Sequence, residues 1–156
     1  MSRPRLTLVR VNERKGIHPF MEETNVTGVY PPLGVSYLAG AARAAGYPAA
    51  IVDAHALNLS AGEMVQTVSR IGAEVVGITT TTFNWPAAAQ LARSLKRAIT
   101  GVQVWVGGPQ LSLYPDECMA ETAVDAAVVG EGDEVVVELL RRLEAGEELA
   151  GVPGTL

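Results

Sequence analysis

The residues best suited to hold a small molecule lie where β-rich runs stop. Residues 76–86 read V-G-I-T-T-T-T-F-N-W-P. A β-branched strand over 74–78 ends in Thr79, Thr80, Thr81 and Thr82, after which Asn84 and Pro86 open a helix. Hydroxyls on a strand-to-helix turn can both donate to and accept from a polar ligand, so this run reads as a binding edge. Two later strands end in Gly107-Gly108-Pro109 and Gly130-Glu131-Gly132. Glycine at such a turn permits positive φ and lets a ligand approach the backbone, while the free N–H groups of the following helix start offer donors to an anion or amide oxygen. Either glycine pair alone is an ordinary turn feature. Their agreement with Asn12 at the first strand end and Asp53-Ala54 at the second makes the whole edge a candidate site.

The elements that must position these residues follow from periodicity. Residues 5–11 read as the first strand, and 12–32 carry no periodicity, as expected of a lid or a partner-facing loop. From Pro31-Pro32-Leu33-Gly34 a helix begins, with Val35, Leu38, Ala39 and Ala42 on one face and Gly46 as its stop. A short strand over 49–52 precedes a helix that starts with capping-box spacing at Ser60 and Glu63 and ends at Gly72. After the threonines, the helix from Trp85 carries Ala88, Leu91, Ala92, Leu95 and Ile99 on one face. Strands are expected over 102–106 and 125–129, a short helix over 114–121 and a last helix over 133–145. Short apolar strands alternating with amphipathic helices require a parallel sheet covered on both faces, hence an α/β, doubly wound, five-stranded flavodoxin-like or Rossmann-like sandwich. One domain is expected over 1–148, with 149–156 belonging to no element and reading as the start of a linker.

Composition narrows the function classes. The chain of 156 residues is 48% hydrophobic and 19% charged with a net charge of −5, and has no basic run, so a nucleic-acid partner is disfavoured. No apolar run is long enough for a membrane span and no signal peptide is visible, so a cytoplasmic location is the default. The single Cys118 cannot form an internal disulfide or a thiolate cluster, and any metal would arrive inside a bound cofactor.

Several ligands fail on what the first loop lacks. A dinucleotide site wants G-x-G-x-x-G after the first strand, where this chain has V-N-E-R-K-G, and a G-x-x-x-x-G-K-[ST] phosphate loop is also missing. A phosphoacceptor receiver needs acidic groups where Asn12 and Thr79 stand. Flavin mononucleotide would want hydroxyls and glycines in the first loop, not in the third to fifth.

From about Pro31 to Pro153 the chain resembles the N-terminal cobalamin-binding domain of B12-dependent radical SAM enzymes, including relatives of the anaerobic magnesium-protoporphyrin monomethyl ester cyclase. The resemblance rests on P-P-L-G-V-S-Y-L-A-G-A-A-R-A-A-G-Y at 31–47, I-V-D-A at 51–54, V-V-G-I-T-T-T-T at 75–82, V-W-V-G-G-P at 104–109 and V-V-G-E-G-D-E at 128–134. It implies that the strand ends hold a corrin ring and enclose its nucleotide tail. Gly107, Gly108 and Pro109 would border the tail, Gly130, Glu131 and Gly132 its ribose-phosphate, and Thr79 to Thr82 the tail and corrin rim. Pro32, Gly34, Asn12, Asp53 and Ala54 complete the candidate cofactor-binding set. The resemblance further implies a radical SAM domain as partner, which would carry the 4Fe–4S cluster and SAM. One cysteine cannot supply the C-x-x-x-C-x-x-C that such a cluster needs.

The methionine-synthase type of cobalamin domain ligates cobalt through the histidine of a D-x-H-x-x-G motif after strand one. Asp53-Ala54-His55 follows strand two and has Asn58 where that motif has glycine, so the match reads as accidental. His18 lies in the topologically correct loop but has Gly16 where the orienting aspartate belongs. The expectation is therefore cobalamin held base-off without a histidine ligand, with catalysis residing outside this chain. Trp85 and Trp105 read as packing residues and Cys118 as a small buried apolar one. The alternative is a flavodoxin-like small-molecule or nucleotide-binding module without cobalamin.

Overall fold

The computed structural model describes residues 3–13 and 30–156. Most of the loop expected over 12–32, with His18, Glu22 and Glu23, lies outside the described residues. The elements run β1 (Leu6–Arg10), α1 (Leu33–Ala44), β2 (Ala49–Asp53), α2 (Ala61–Ile71), β3 (Val75–Thr79), α3 (Trp85–Ala98), β4 (Gln103–Gly107), α4 (Pro109–Leu113), α5 (Pro115–Met119), β5 (Ala126–Val128) and α6 (Asp133–Ala145). The strands form one sheet in the order β2-β1-β3-β4-β5, with every pair parallel. This is the flavodoxin-like α/β order expected of the alternating pattern.

Each face of the sheet carries its own core. On one side Leu6, Leu8, Val75, Trp105 and Ala126 pack beneath Val35, Ala39 and Ala42 of α1 and Val136, Leu139 and Leu140 of α6. On the other, Val9, Val76, Ile78, Val104 and Val106 meet Met64 and Val68 of α2 and Leu91, Ala92 and Leu95 of α3, with Leu111 and Cys118 from α4 and α5. Strands buried on both faces must be apolar along their length, which is why these runs show little alternation. Local chemistry sets the helix ends. Ser60 Oγ accepts from the Glu63 N–H and a Glu63 carboxylate oxygen accepts from the Ser60 N–H at 2.8 Å, and Gly72 closes α2 in the left-handed conformation at φ 69°.

Two stretches differ from expectation. Pro109 does more than close a glycine turn: it is the first residue of α4, because proline's fixed φ suits a helix start and needs no donor there. The tail, expected to belong to no element, lies on the open edge of β5. Thr155 bridges antiparallel to Val128, the Val129 N–H donates to Gly154 O at 2.9 Å, and the Leu156 N–H donates to Ala127 O at 3.0 Å. Val152 is buried in the α1/α6 core. A three-residue edge strand leaves unpaired backbone groups that this short segment satisfies. Among the described residues no helix is long and apolar enough to cross a membrane.

Candidate functional site: a slot between the sheet and two helices

Strand register builds the site. Leu8 pairs with Gly77, Gly77 with Trp105, and Trp105 with Ala126, so these residues form one row across the sheet, and the α1/α6 core contains Leu8, Trp105 and Ala126 from it. Gly77 contributes no side chain to that row. Two residues further along, on the same face, stand Thr79, Gly107 and Val128. Gly107 presents no side chain to this face, and Leu8 leans over Gly77, leaving a shallow path in the sheet surface beside Trp105 and Val128.

Over this path lies a cavity of about 320 Å³. Leu8, Gly77, Trp105 and Gly107 line its floor; Gly34, Val35 and Leu38 of α1 form one wall, and Gly132, Asp133 and Val136 of α6 the other. Thr79, Gly108, Pro109, Gly130, Glu131 and Tyr37 line it at the carboxyl edge of the strands. The glycines of wall, floor and edge are fitted to their neighbours. A Cβ at Gly132 would stand 3.0 Å from Leu38 Cδ2, and one at Gly77 would stand 2.7 Å from Leu8 Cδ2. Gly108 has φ +112°, and a Cβ there would meet Thr80 O at 2.5 Å. Only glycine makes this turn without strain. The lining is largely apolar, with polar groups gathered at the mouth, the usual composition of a small-molecule site.

The structure sorts the sequence candidates into two groups. Gly34, Thr79, Gly107, Gly108, Pro109, Gly130, Glu131 and Gly132 line the slot. Asn12, Pro32, Asp53, Ala54, Thr80, Thr81 and Thr82 do not. Asn12 is buried and its Nδ2 donates to Asn58 Oδ1 and Leu59 O, both at 3.1 Å, tying the end of β1 to the turn after β2. Asp53 accepts from the Ala56 N–H at 3.0 Å and lies 3.9 Å from the Arg10 guanidinium, while Ala54 is a core residue. Strand β2 stands at the edge of the sheet, and none of its residues is among those lining a slot that lies over β1, β3, β4 and β5.

The threonine run divides by role. The buried Thr80 hydroxyl donates to Gly107 O at 2.9 Å, and the Thr80 N–H donates to the same carbonyl at 2.7 Å. Thr81 is used in the turn: its N–H donates to Asn84 Oδ1 at 2.7 Å, and its Oγ1 accepts from the Asn84 N–H at 3.3 Å. Asn84 therefore closes the loop instead of capping α3 with its side chain, and its Nδ2 donates to Glu13 Oε1 at 3.0 Å. Thr82 is exposed. That leaves Thr79 as the slot-lining threonine.

Sequence reasoning missed Leu8, Gly77, Trp105, Leu38 and Val136 as lining residues. Gly77 carried a usable signal, because an isolated glycine in a β-branched strand marks a close approach. Trp105, expected to be packing, is 2% exposed, and among the described residues its buried Nε1–H has no acceptor. His55 is fully buried in the turn after β2 and does not line the slot. Burial pushes the Cys118 thiol up, as does the neighbouring Glu117 charge, against a hydrogen bond with Gln110; this suits an inert core residue. Among the described residues, no cluster of histidine, cysteine, aspartate and glutamate could hold a metal ion.

A parallel sheet in flavodoxin order with a glycine-lined slot at its carboxyl edge defines a small-molecule-binding α/β domain. The B12 binding domain model matches residues 24–140, and the chain belongs to that family. It is 34% identical over 125 residues to an uncharacterized methyltransferase of Pyrococcus horikoshii, covering 80% of this chain and 27% of that protein. It is 29% identical over 140 residues to the anaerobic magnesium-protoporphyrin IX monomethyl ester cyclase of Rubrivivax gelatinosus, covering 86% of this chain and 25% of that one. The chain thus spans about a quarter of the length of these curated relatives. Among solved structures, the radical S-adenosylmethionine methyltransferase TsrM from Kitasatospora setae, with cobalamin and a 4Fe–4S cluster bound, superposes with a TM-score of 0.76 at 18% identity over 97% of this chain and 27% of that one. The cobalamin-dependent S-adenosylmethionine radical enzyme OxsB, with aqua-cobalamin and S-adenosylmethionine bound, gives 0.78 at 14% over 97% of this chain and 20% of that one. At these identities the structural likeness carries the fold.

Proposed function

We propose that this chain is the cobalamin-holding domain of a radical SAM enzyme of the methyltransferase or cyclase kind. In this reading cobalamin binds base-off, with its nucleotide tail in the slot and no histidine of this chain on cobalt. The observation that carries the reading is the slot itself: a largely apolar cavity with Gly77 and Gly107 in its floor and Gly34 and Gly132 in its walls, reached from the strand ends. A bulky planar group entering between sheet and helices needs residues without side chains along its path. Thr79, Glu131 and the backbone of Gly108 and Gly130 at the mouth suit the hydroxyls and amides of a ribose and corrin edge.

Cobalamin when bound supplies a cobalt centre that can accept and give up an alkyl group. Residues lining the slot would enclose the tail and keep water from its buried portion, and those at the strand ends would hold the ring. His55 supports the histidine-free part of the reading, because a fully buried side chain off the slot does not present a ligand above the sheet edge. SAM and a 4Fe–4S cluster belong to a partner domain in this account. Tyr30, Leu33, Tyr37, Leu57, Phe83, Leu113 and Tyr114 are exposed on segments that follow strand ends, an apolar rim suited to that partner and to the corrin periphery.

The test is direct. Hydroxocobalamin mixed with the purified chain and freed of unbound pigment should remain at one equivalent, with the absorption spectrum of the base-off form. Folded protein that retains no pigment would remove the proposal's basis. Replacing His55 or His18 by alanine should leave the bound cobalt spectrum unchanged; a spectral shift with either variant overturns the histidine-free assignment.

A further inference from the structure

We infer that the slot selects among cobamides by the polarity of the base at the end of the tail, favouring a benzimidazole or a phenol over a purine. This rests on the cobalamin reading above and adds the chemical class of tail that the domain accepts.

The lining falls into two zones. Inward from the carboxyl edge it consists of Leu8, Val35, Leu38, Trp105 and Val136 around Gly77. Trp105 is 2% exposed and its Nε1 is buried with the slot empty, so the indole shows the slot ring carbon alone. The peptide groups of the floor are taken as well. Gly77 pairs with Leu8 on one side and Trp105 on the other, and Trp105 pairs with Ala126 beyond, within a parallel ladder that uses both N–H and C=O. Polar side chains of the lining stand elsewhere: Thr79, Tyr37 and Glu131 at the carboxyl edge and Asp133 at the first residue of α6. The unbonded N–H groups of the helix starts belong to that edge too.

The base is the far end of the tail, beyond phosphate and ribose, so it passes the polar edge and enters the apolar zone. Dimethylbenzimidazole brings a single free ring nitrogen there, and a phenol ring brings none. Adenine brings an exocyclic amine and further ring nitrogens, each of which gives up water for a lining that returns no hydrogen bond. An apolar pocket disfavours an analogue that adds a polar group by up to about a hundredfold, which sets the scale of the selection.

Dissociation constants of cobalamin, p-cresolyl cobamide and adeninyl cobamide on the native chain test this. Each is corrected for the fraction of free ligand that is base-off, read from that ligand's own absorption against pH, so that detachment from cobalt drops out. After correction, adeninyl cobamide should bind about tenfold to a hundredfold more weakly than p-cresolyl cobamide, with cobalamin between them. Adeninyl cobamide within about twofold of p-cresolyl cobamide would overturn the selection and leave cobalamin binding intact. A native chain that binds none of the three would overturn the cobalamin reading itself. Leu38→Gln, which gives the apolar zone an amide, should narrow the gap severalfold; an unchanged gap in the folded variant overturns the assignment of the base to this zone. Should the variant not fold, the three constants on the native chain decide alone.

Discussion

Leu8 and Gly77 face each other across the β1–β3 pairing, and a single carbon added to Gly77 would lie 2.7 Å from Leu8 Cδ2. The Leu8 side chain leans into the space that carbon would fill, and both residues line the slot. Gly77→Ala should push the Leu8 side chain into the slot, since its methyl end is the part able to yield. Overpacking of this size costs about 1–3 kcal/mol. The chain is expected to fold with a lowered melting temperature and to lose about tenfold or more in cobalamin affinity, read by pigment retention. Gly77→Val should abolish retention. Unchanged affinity in a folded Gly77→Ala protein would place the tail elsewhere.

Gly108 poses a different case, because its neighbour is backbone. At φ +112°, with a would-be Cβ 2.5 Å from Thr80 O, alanine meets both an unfavourable conformation and an immovable atom. Gly108→Ala should destabilise the chain by about 2–3 kcal/mol, lowering the melting temperature by on the order of 5 °C. Thermal unfolding followed by circular dichroism measures it.

The threonines should separate in their response. Thr80→Val removes the hydroxyl that donates to Gly107 O and should cost about 1 kcal/mol, the carbonyl keeping its bond from the Thr80 N–H. Thr82→Val, at an exposed position, should stay within about 0.5 kcal/mol of the parent. Denaturant titrations of both variants give the comparison; similar losses would contradict the assigned roles.

Acid should reach α6 through Glu138. Hydrogen bonds from Arg141 and Arg142 lower its carboxyl from the ordinary 4.5 to about 2. A depressed carboxylate means that between those values the unfolded chain binds more protons than the folded one. Its contribution is therefore complete above about pH 4.5 and is lost as pH falls toward 2. The site is solvent-screened, so the effect is small. Glu138→Gln should flatten the fall of stability across that window and leave neutral-pH stability nearly unchanged, as urea midpoints at several pH values would show.

Fold and site were legible to different depths. The Ser60–Glu63 capping box, the left-handed Gly72 and the α6 boundaries lie in local sequence, where side chain meets neighbouring backbone. The alternation of elements prescribed a parallel sheet, and with it the edge where glycines 107, 108, 130 and 132 gather. The slot's floor was not legible, because Leu8, Gly77 and Trp105 become neighbours only through strand register. Likewise Asn12, Asp53 and Ala54 stand at strand ends yet miss the slot, since sequence gives each strand's end but not its place in the order. The Thr80 and Thr81 hydroxyls are used by backbone, Thr80 by the Gly107 carbonyl at the end of β4 and Thr81 by the Asn84 N–H of its own turn, which sequence alone does not show.

The pairing of Thr155 with Val128 also bears on solubility. An open parallel sheet has two edges, and an uncovered one is a template on which another molecule's strand can add. Here β5 is short and its outer backbone groups are occupied by Gly154 and Leu156 of the same molecule. Chains shortened before Val152 should expose both that edge and the apolar surface beneath Val152, and light scattering should register concentration-dependent self-association that the full chain does not show.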